Sequence, residues 1–251
     1  MKLIDNPEGN YNFLTGIAPY SSGVAAMPGY EIVHVIMRNP QPYRKGFDFI
    51  DGHLKALGRS RQALCAIQLR IPQPFSFEGF SAFNQGYLDI LSEWDLPVDG
   101  VNPIARTNVS PEVRPPEEAV LYAFSYTVPV DTEDVPPTFI IAGAGELKAG
   151  NLSPDNIVKA GDISTDAIVE KVKFVMGIMQ ARLSGLEMKW ADVTTVDIYT
   201  VHPLHHLLAE EILTPMGDAA RHTVRWYFSR PPISGLEFEM DMRGVCKEYY
   251  L

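Results

Sequence analysis

A pattern that occurs twice limits what this chain can fold into more than any other feature. Pro103-Ile104-Ala105-Arg106-Thr107-Asn108-Val109 is followed by Arg114-Pro115-Pro116 and the apolar run Val120 to Tyr126. Asp218-Ala219-Ala220-Arg221-His222-Thr223-Val224 is followed by Arg230-Pro231-Pro232 and an alternating segment, Leu236 to Met242. A period near half of the 251 residues predicts two copies of one unit in place of one large core. The copies differ where chemistry would sit. Sixteen positions after its Ala-Arg the second copy has Glu237, and the first has Tyr122.

Local patterns fill in each copy. In the first, Tyr30 to Met37 predicts a strand, Phe47 to Leu57 a helix stopped by Gly58, and Ala63 to Ile71 a strand. Phe80, Phe83, Tyr87 and Leu91 fall on one face of a helix over 80–94, and strands over 107–110 and 120–127 follow. The second copy repeats the order: a strand from Thr138 to Gly145, a helix carrying Ile168, Val172, Val175, Met176 and Met179, a strand from Val193 to Val201, a helix from Pro203 to Leu213, then strands over 223–229 and 236–245. The proline-rich acidic stretch Val128 to Pro137 reads as a linker. The expected division is therefore 1–130 and 138–251. Each unit reads as α+β, a mixed sheet with two helices on one face. The other sheet face needs cover, which a second copy would supply.

Composition excludes several functions. The net charge of −10 argues against nucleic acid as a partner, since phosphate binding needs surplus Lys and Arg. There is no run of 18 apolar residues to span a membrane, and the first residues carry no apolar stretch of signal-peptide length. Two cysteines, Cys65 and Cys246, one in each copy, make no disulfide framework. A cytoplasmic protein is the expectation. His202, His205 and His206 cluster without a carboxylate at zinc-site spacing, and the glycines of 142–145 open no Gly-x-Gly-x-x-Gly helix. Neither a metal nor a cofactor is expected.

On a strand over 221–228, Arg221, Thr223, Arg225 and Tyr227 share a face, and on the last strand Glu237, Glu239 and Asp241 do. Pairing these strands as a hairpin would set an arginine beside a glutamate. Arginine captures a carboxylate in a planar fork, and a glutamate can hold water and move protons. An exposed cross-strand ion pair fits the same spacing.

The segments Ala-Arg-x-x-Val, Arg-Pro-Pro and Leu236-Glu237-Phe238-Glu239 together resemble the C-terminal signature of the RidA family, also called YjgF or L-PSP, which reads Ala-Arg-Ser-x-Val, Arg-Leu-Pro, Val-Glu-Ile-Glu. Ala18-Pro19-Tyr20-Ser21-Ser22-Gly23 is similar to its N-terminal Gly-Pro-Tyr-Ser-Gln, and Ile140-Ile141-Ala142-Gly143 to its Ile-x-Ser-Gly strand. Ala191 to Val196 matches the strand after its first helix. The resemblance spans nearly the whole chain as two tandem copies and is strongest over 138–245.

The resemblance implies two chorismate-mutase-like domains, ligand clefts between neighbouring units, and assembly as a homotrimer ahead of a dimer. It implies hydrolysis of carboxylated enamines or imines to a ketoacid and ammonia, on a 2-aminoacrylate-like or an aminomuconate-like substrate. The family's carboxylate-binding arginine matches Arg221 and Arg106, and its water-positioning glutamate matches Glu237 but falls on Tyr122 in the first copy. Its tyrosine matches Tyr20 alone. Its Ser-Gly pair matches Ala142-Gly143, so the serine is missing. The expected catalytic pair is thus Glu237 and Arg221, with Arg106, Tyr20, Gly143, Thr223 and Tyr122 around the substrate. A non-catalytic carboxylate-binding module and an endoribonuclease are the competing readings.

Overall fold

In chain order the computed structural model runs β1 (Leu3–Asn6), β2 (Tyr11–Leu14), β3 (Gly23–Ala26), β4 (Tyr30–Pro42), α1 (Tyr43–Ala56), β5 (Leu64–Arg70), α2 (Phe77–Glu93), β6 (Ala105–Pro111) and β7 (Val120–Pro129). It continues β8 (Phe139–Gly145), α3 (Thr165–Gly185), β9 (Thr195–Tyr199), β10 (Arg225–Tyr227), β11 (Ser229–Arg230), β12 (Glu239–Gly244) and β13 (Lys247–Tyr250). The structure describes residues 1–131, 135–148 and 152–251. Part of the expected linker, Thr132-Glu133-Asp134, lies outside the described residues.

The class is α+β with two mixed sheets. A six-stranded sheet has the order β11-β6-β5-β7-β4-β13, and a seven-stranded one β1-β2-β3-β8-β12-β9-β10. The expected division at 130 and 138 separates the helical layers but not the sheets. Strands β1 to β3 extend the sheet of the second half, through β3 antiparallel to β8, while β13 returns to lie parallel to β4. The halves therefore exchange their ends.

Helices formed where the sequence has a 3.6-residue apolar stripe. Phe47, Ile50 and Leu54 of α1 and Tyr87, Ile90 and Leu91 of α2 bury against Val33, Val35, Leu64, Leu69 and Leu121. Ser76 starts α2, its hydroxyl accepting from the Gly79 N–H at 3.0 Å. Helix α3 buries Ile168, Val172, Val175, Met179 and Leu183 on Ile141, Ile198, Met240 and Met242. The helix expected over 203–213 is different. A π-type turn, Leu208–Leu213, runs through Thr214–Met216 into a 3-10 turn, Gly217–His222, and buries Leu204, Leu207, Ile212 and Met216.

The faces away from the helices cover each other. Tyr11, Phe13, Val24, Ile32, Cys65, Ala105 and Ile140 form the apolar part of that layer. Beside it lies a buried polar network. Arg243 donates to Asp197 and to Glu248, each at 2.7 Å, and Gln68 from the six-stranded sheet donates to Asp241 at 3.1 Å. Burial, then the charge of Asp197, raises the Asp241 carboxyl to about 7, with Arg243 opposing.

Lys171 of α3 and Glu146, just after β8, form an ion pair at 3.1 Å with no exposure on either side chain. Glu146 also accepts from the backbone N–H groups of Glu237 and Phe238 at 2.7 and 3.1 Å, tying helix, strand end and the approach to β12 together. Breaking a buried pair from one side strands the other charge and costs about 3–5 kcal/mol. Lys171→Met is expected to lower the thermal midpoint by roughly 10 °C, given about 2–4 °C per kcal/mol at this size. Differential scanning calorimetry checks it.

Candidate active site

A cavity of about 510 Å³ opens between the two halves. Its polar groups come from five places: Tyr20 before β3, Arg106 and Asn108 on β6, Gly143 on β8, Arg182 near the end of α3, and Glu239 at the start of β12. Phe80, Phe174, Ile178, Ile233 and Leu236 supply apolar wall, and Lys148 stands exposed among the lining residues.

Arg106 is the most enclosed of these groups. β6 runs parallel to β5 and sets Arg106 opposite Ile67, inside the molecule, with 3% of its surface exposed. Its guanidinium lies over the rings of Tyr87 at 4.6 Å and Tyr20 at 5.1 Å, with Phe80 and Phe83 at 5.8 and 5.9 Å. Aromatic faces offset part of the desolvation of a cation. Nη2 donates to Asn84 Oδ1 of α2 at 2.6 Å, while Nη1 is buried without a partner among the described residues. A guanidinium pinned by one nitrogen and free at the other is arranged to receive an acceptor.

The strand pair β8–β12 carries the opposite wall. Its register slips between Met240 and Met242, leaving Ala142 and Gly143 opposite Asp241 as a β-bulge. The bulge aims two carbonyls at α3, where Arg182 Nη1 donates to Ala142 O at 2.7 Å and Gly143 O at 3.3 Å. Glycine is required at 143. A Cβ there would fall on Glu239 Oε1, with Thr107 Cγ2 at 3.0 Å. The missing side chain is what lets the Glu239 carboxyl reach the cavity.

Burial pushes the Glu239 carboxyl well above the usual carboxylate range, with Asp241 and Glu146 adding to the rise and Arg182 and Arg106 opposing it. Tyr20 is raised above its ordinary value by burial as well, against the pull of Arg106 and Arg182. The site thus holds two guanidinium groups and one buried carboxyl raised above the usual carboxylate range. It can clamp anions and deliver a proton.

Of the residues expected from the sequence, Tyr20, Arg106 and Gly143 meet in this cavity. Four do not line it. Arg221 is exposed at the end of the 3-10 turn, because the segment expected as strand begins its pairing only at Arg225. Thr223 is exposed too, in the left-handed region at φ 55°. Tyr122 points to the other side of its sheet, where Arg70 covers its ring at 3.8 Å. Glu237 sits before β12, and its carboxylate pairs with His202 Nε2 at 2.7 Å. The expected hairpin is absent too: β12 lies between β8 and β9, and β10 pairs with β9.

The residues missed were Arg182, Asn84, Asn108 and Glu239 as the cavity glutamate. Alternation did mark Glu239, on the same strand face as Glu237. Glu239 lies eighteen positions after Arg221, and eighteen after Arg106 stands Phe124, which is buried.

The family described as 2-aminomuconate deaminase CnbZ matches residues 3–249 of this chain. The chain belongs to that family. A 2-amino-5-chloromuconate deaminase of Comamonas testosteroni is 40% identical to it over 244 residues, covering 97% of this chain and 96% of the relative. Among solved structures a chorismatase superposes over 98% of this chain and 89% of its own, with a TM-score of 0.51 and 9% identity. That likeness concerns the fold alone. A cyanuric acid hydrolase matches 85% of this chain and 67% of its own at a TM-score of 0.43 and 8% identity. For this deaminase-family chain, no helix among the described residues is long and apolar enough to cross a membrane.

Proposed function

We propose that the protein hydrolyses a 2-aminomuconate-type enamine dicarboxylate to the corresponding 2-oxo acid and ammonia. The observation that carries this reading is the meeting of Arg106, Arg182 and Glu239, whose carboxyl burial pushes upward, in one cavity. Family membership supports the substrate class. Arg106 takes the carboxylate next to the amino-bearing carbon, and Arg182, with Lys148, faces the distal one. Tyr20 flanks the clamp.

Glu239 first gives its proton to the carbon end of the enamine, turning the C=C–N unit into C–C=N with a positive nitrogen. Water then adds to the carbon of C=N and passes a proton back to the Glu239 carboxylate. The resulting carbinolamine loses its nitrogen as ammonia and leaves C=O. One water is consumed and one ammonia leaves. The arginines hold charge that persists through each step, so the site needs only position and one acid/base group.

We read the halves as two tandem RidA-like units, divided at 1–130 and 138–251; what supports this is the order strand, helix, strand shared by β4-α1-β5 and β8-α3-β9. A homotrimer ahead of a dimer is the proposed assembly from the family resemblance, and the exposed rings of Trp226, Phe228, Tyr249 and Tyr250 support self-association in either form. A cytoplasmic setting without nucleic acid stays with this proposal.

Ammonia release together with loss of the dienamine absorbance of 2-aminomuconate tests the function. A chain that binds muconate and releases no ammonia would leave only the carboxylate-binding module. The role of Glu237 separates at the same bench. With its carboxylate held by His202 outside the cavity lining, Glu237→Gln is expected to keep kcat/KM within about 3-fold, because partly exposed ion pairs contribute little. A collapse of turnover in that variant would return the acid/base role to Glu237.

A further inference from the structure

Asn108 is 3% exposed and lines the cavity, yet neither Oδ1 nor Nδ2 has a hydrogen-bond partner among the described residues. Buried side-chain amides are almost always paired, and an unpaired one costs stability that an apolar residue of the same size would not. The surrounding wall is apolar where it can be, with Phe80, Ile233 and Leu236 among the lining residues. An amide left open here is therefore built for something that enters.

Its position says what. Asn108 lies two residues beyond Arg106 on β6, so both side chains project from the same strand face about 7 Å apart. Arg106 Nη1, also unpartnered, can only donate. Asn108 Oδ1 can accept, and Nδ2 can donate. A carboxylate with an amino group on the adjoining carbon presents an acceptor and a donor in that order.

We propose that Asn108 reads the amino group: Oδ1 accepts an N–H of the 2-amino nitrogen while Arg106 Nη1 holds the neighbouring carboxylate. This rests on the deaminase reading above and adds to it the residue that selects an amino-bearing substrate over a plain dicarboxylate. The same contact keeps the nitrogen in place as it becomes positive, since an amide oxygen favours a cationic donor.

The experiment pairs Asn108→Leu and Asn108→Ser with wild type and reads three quantities: KM for 2-aminomuconate, the inhibition constant of cis,cis-muconate, and the thermal midpoint without ligand. Muconate carries both carboxylates and no 2-substituent. The expected result is a KM raised 10- to 100-fold in both variants, a muconate constant within 3-fold of wild type, and a midpoint in Asn108→Leu at or above wild type. Relief of the unpaired amide gives that last sign, which a structural role would reverse. An unchanged KM, a parallel loss of muconate binding, or a midpoint several degrees lower in both variants overturns the proposal. Wild-type protein that leaves 2-aminomuconate intact sinks the deaminase reading itself, a failure visible before any variant is made.

Discussion

Glu239→Gln is expected to lower kcat by 10²- to 10⁴-fold, the range a positioned proton donor supplies. Glutamine keeps the shape of the side chain and the passage over Gly143, and it removes only the transferable proton. The protein should fold normally. Below its raised pKa Glu239 is neutral, as Gln is, so little is lost on substitution in acid. As pH rises from the ordinary carboxylate range through the raised value, the wild type must hold a buried anion and loses stability, because the unfolded chain then binds fewer protons than the native one. The variant escapes that share of the loss. Its melting profile should be flatter toward alkaline pH, although Glu146 and Asp241, both raised, keep part of the slope. Activity carries the same sign. Wild-type turnover should fall on the alkaline side as Glu239 ionises and cannot protonate carbon. Stopped-flow absorbance across pH checks the limb, and wild-type kcat in Glu239→Gln would end the proposed mechanism.

Removing the clamp should be nearly as severe. Arg106→Met is expected to reduce kcat/KM for 2-aminomuconate by 10²- to 10⁴-fold. Two charge-assisted hydrogen bonds to a carboxylate contribute about 1.5–3 kcal/mol each, and every 1.4 kcal/mol is tenfold. The aromatic box of Tyr20, Phe80, Phe83 and Tyr87 would close well around a thioether, so the fold survives with only Asn84 Oδ1 left unpaired. A second readout distinguishes a clamp from simple packing. Arg106 is one of two cations holding down the Glu239 carboxyl, so its loss should move the alkaline limb of residual activity to higher pH. Arg106→Lys restores the charge without the fork. It should return that limb toward its wild-type position while recovering only part of kcat/KM.

How much of the fold and site is legible in the sequence depends on how far each local signal reaches. Helical stripes such as Ile168, Val172, Val175 and Met179 are set by neighbours one turn away, and they folded as helix. Tyr20, Arg106 and Gly143 were marked by the resemblance of their segments to RidA-family motifs. Glu237 and Glu239 could not be separated this way. They lie two apart on one face of a strand, and alternation treats them alike. What distinguishes them is the slip between β8 and β12, which sets Glu239 over a glycine and leaves Glu237 beyond the strand beside His202. Arg221 lies away from the cavity for another reason. Its segment, Gly217–His222, is a 3-10 turn and not a strand, so strand alternation gives it no inward face.

The chain's own residues dictated an α+β class and a net charge of −10. Those properties depend on composition, short-range periodicity and motif, all of which are present before folding. Which carboxyl, which second cation and which amide join Arg106 was decided only when β3 crossed to the sheet of the other half and the bulge in β8 opened toward α3. Pairing between strands more than a hundred residues apart is chosen by global packing, and no local pattern records it.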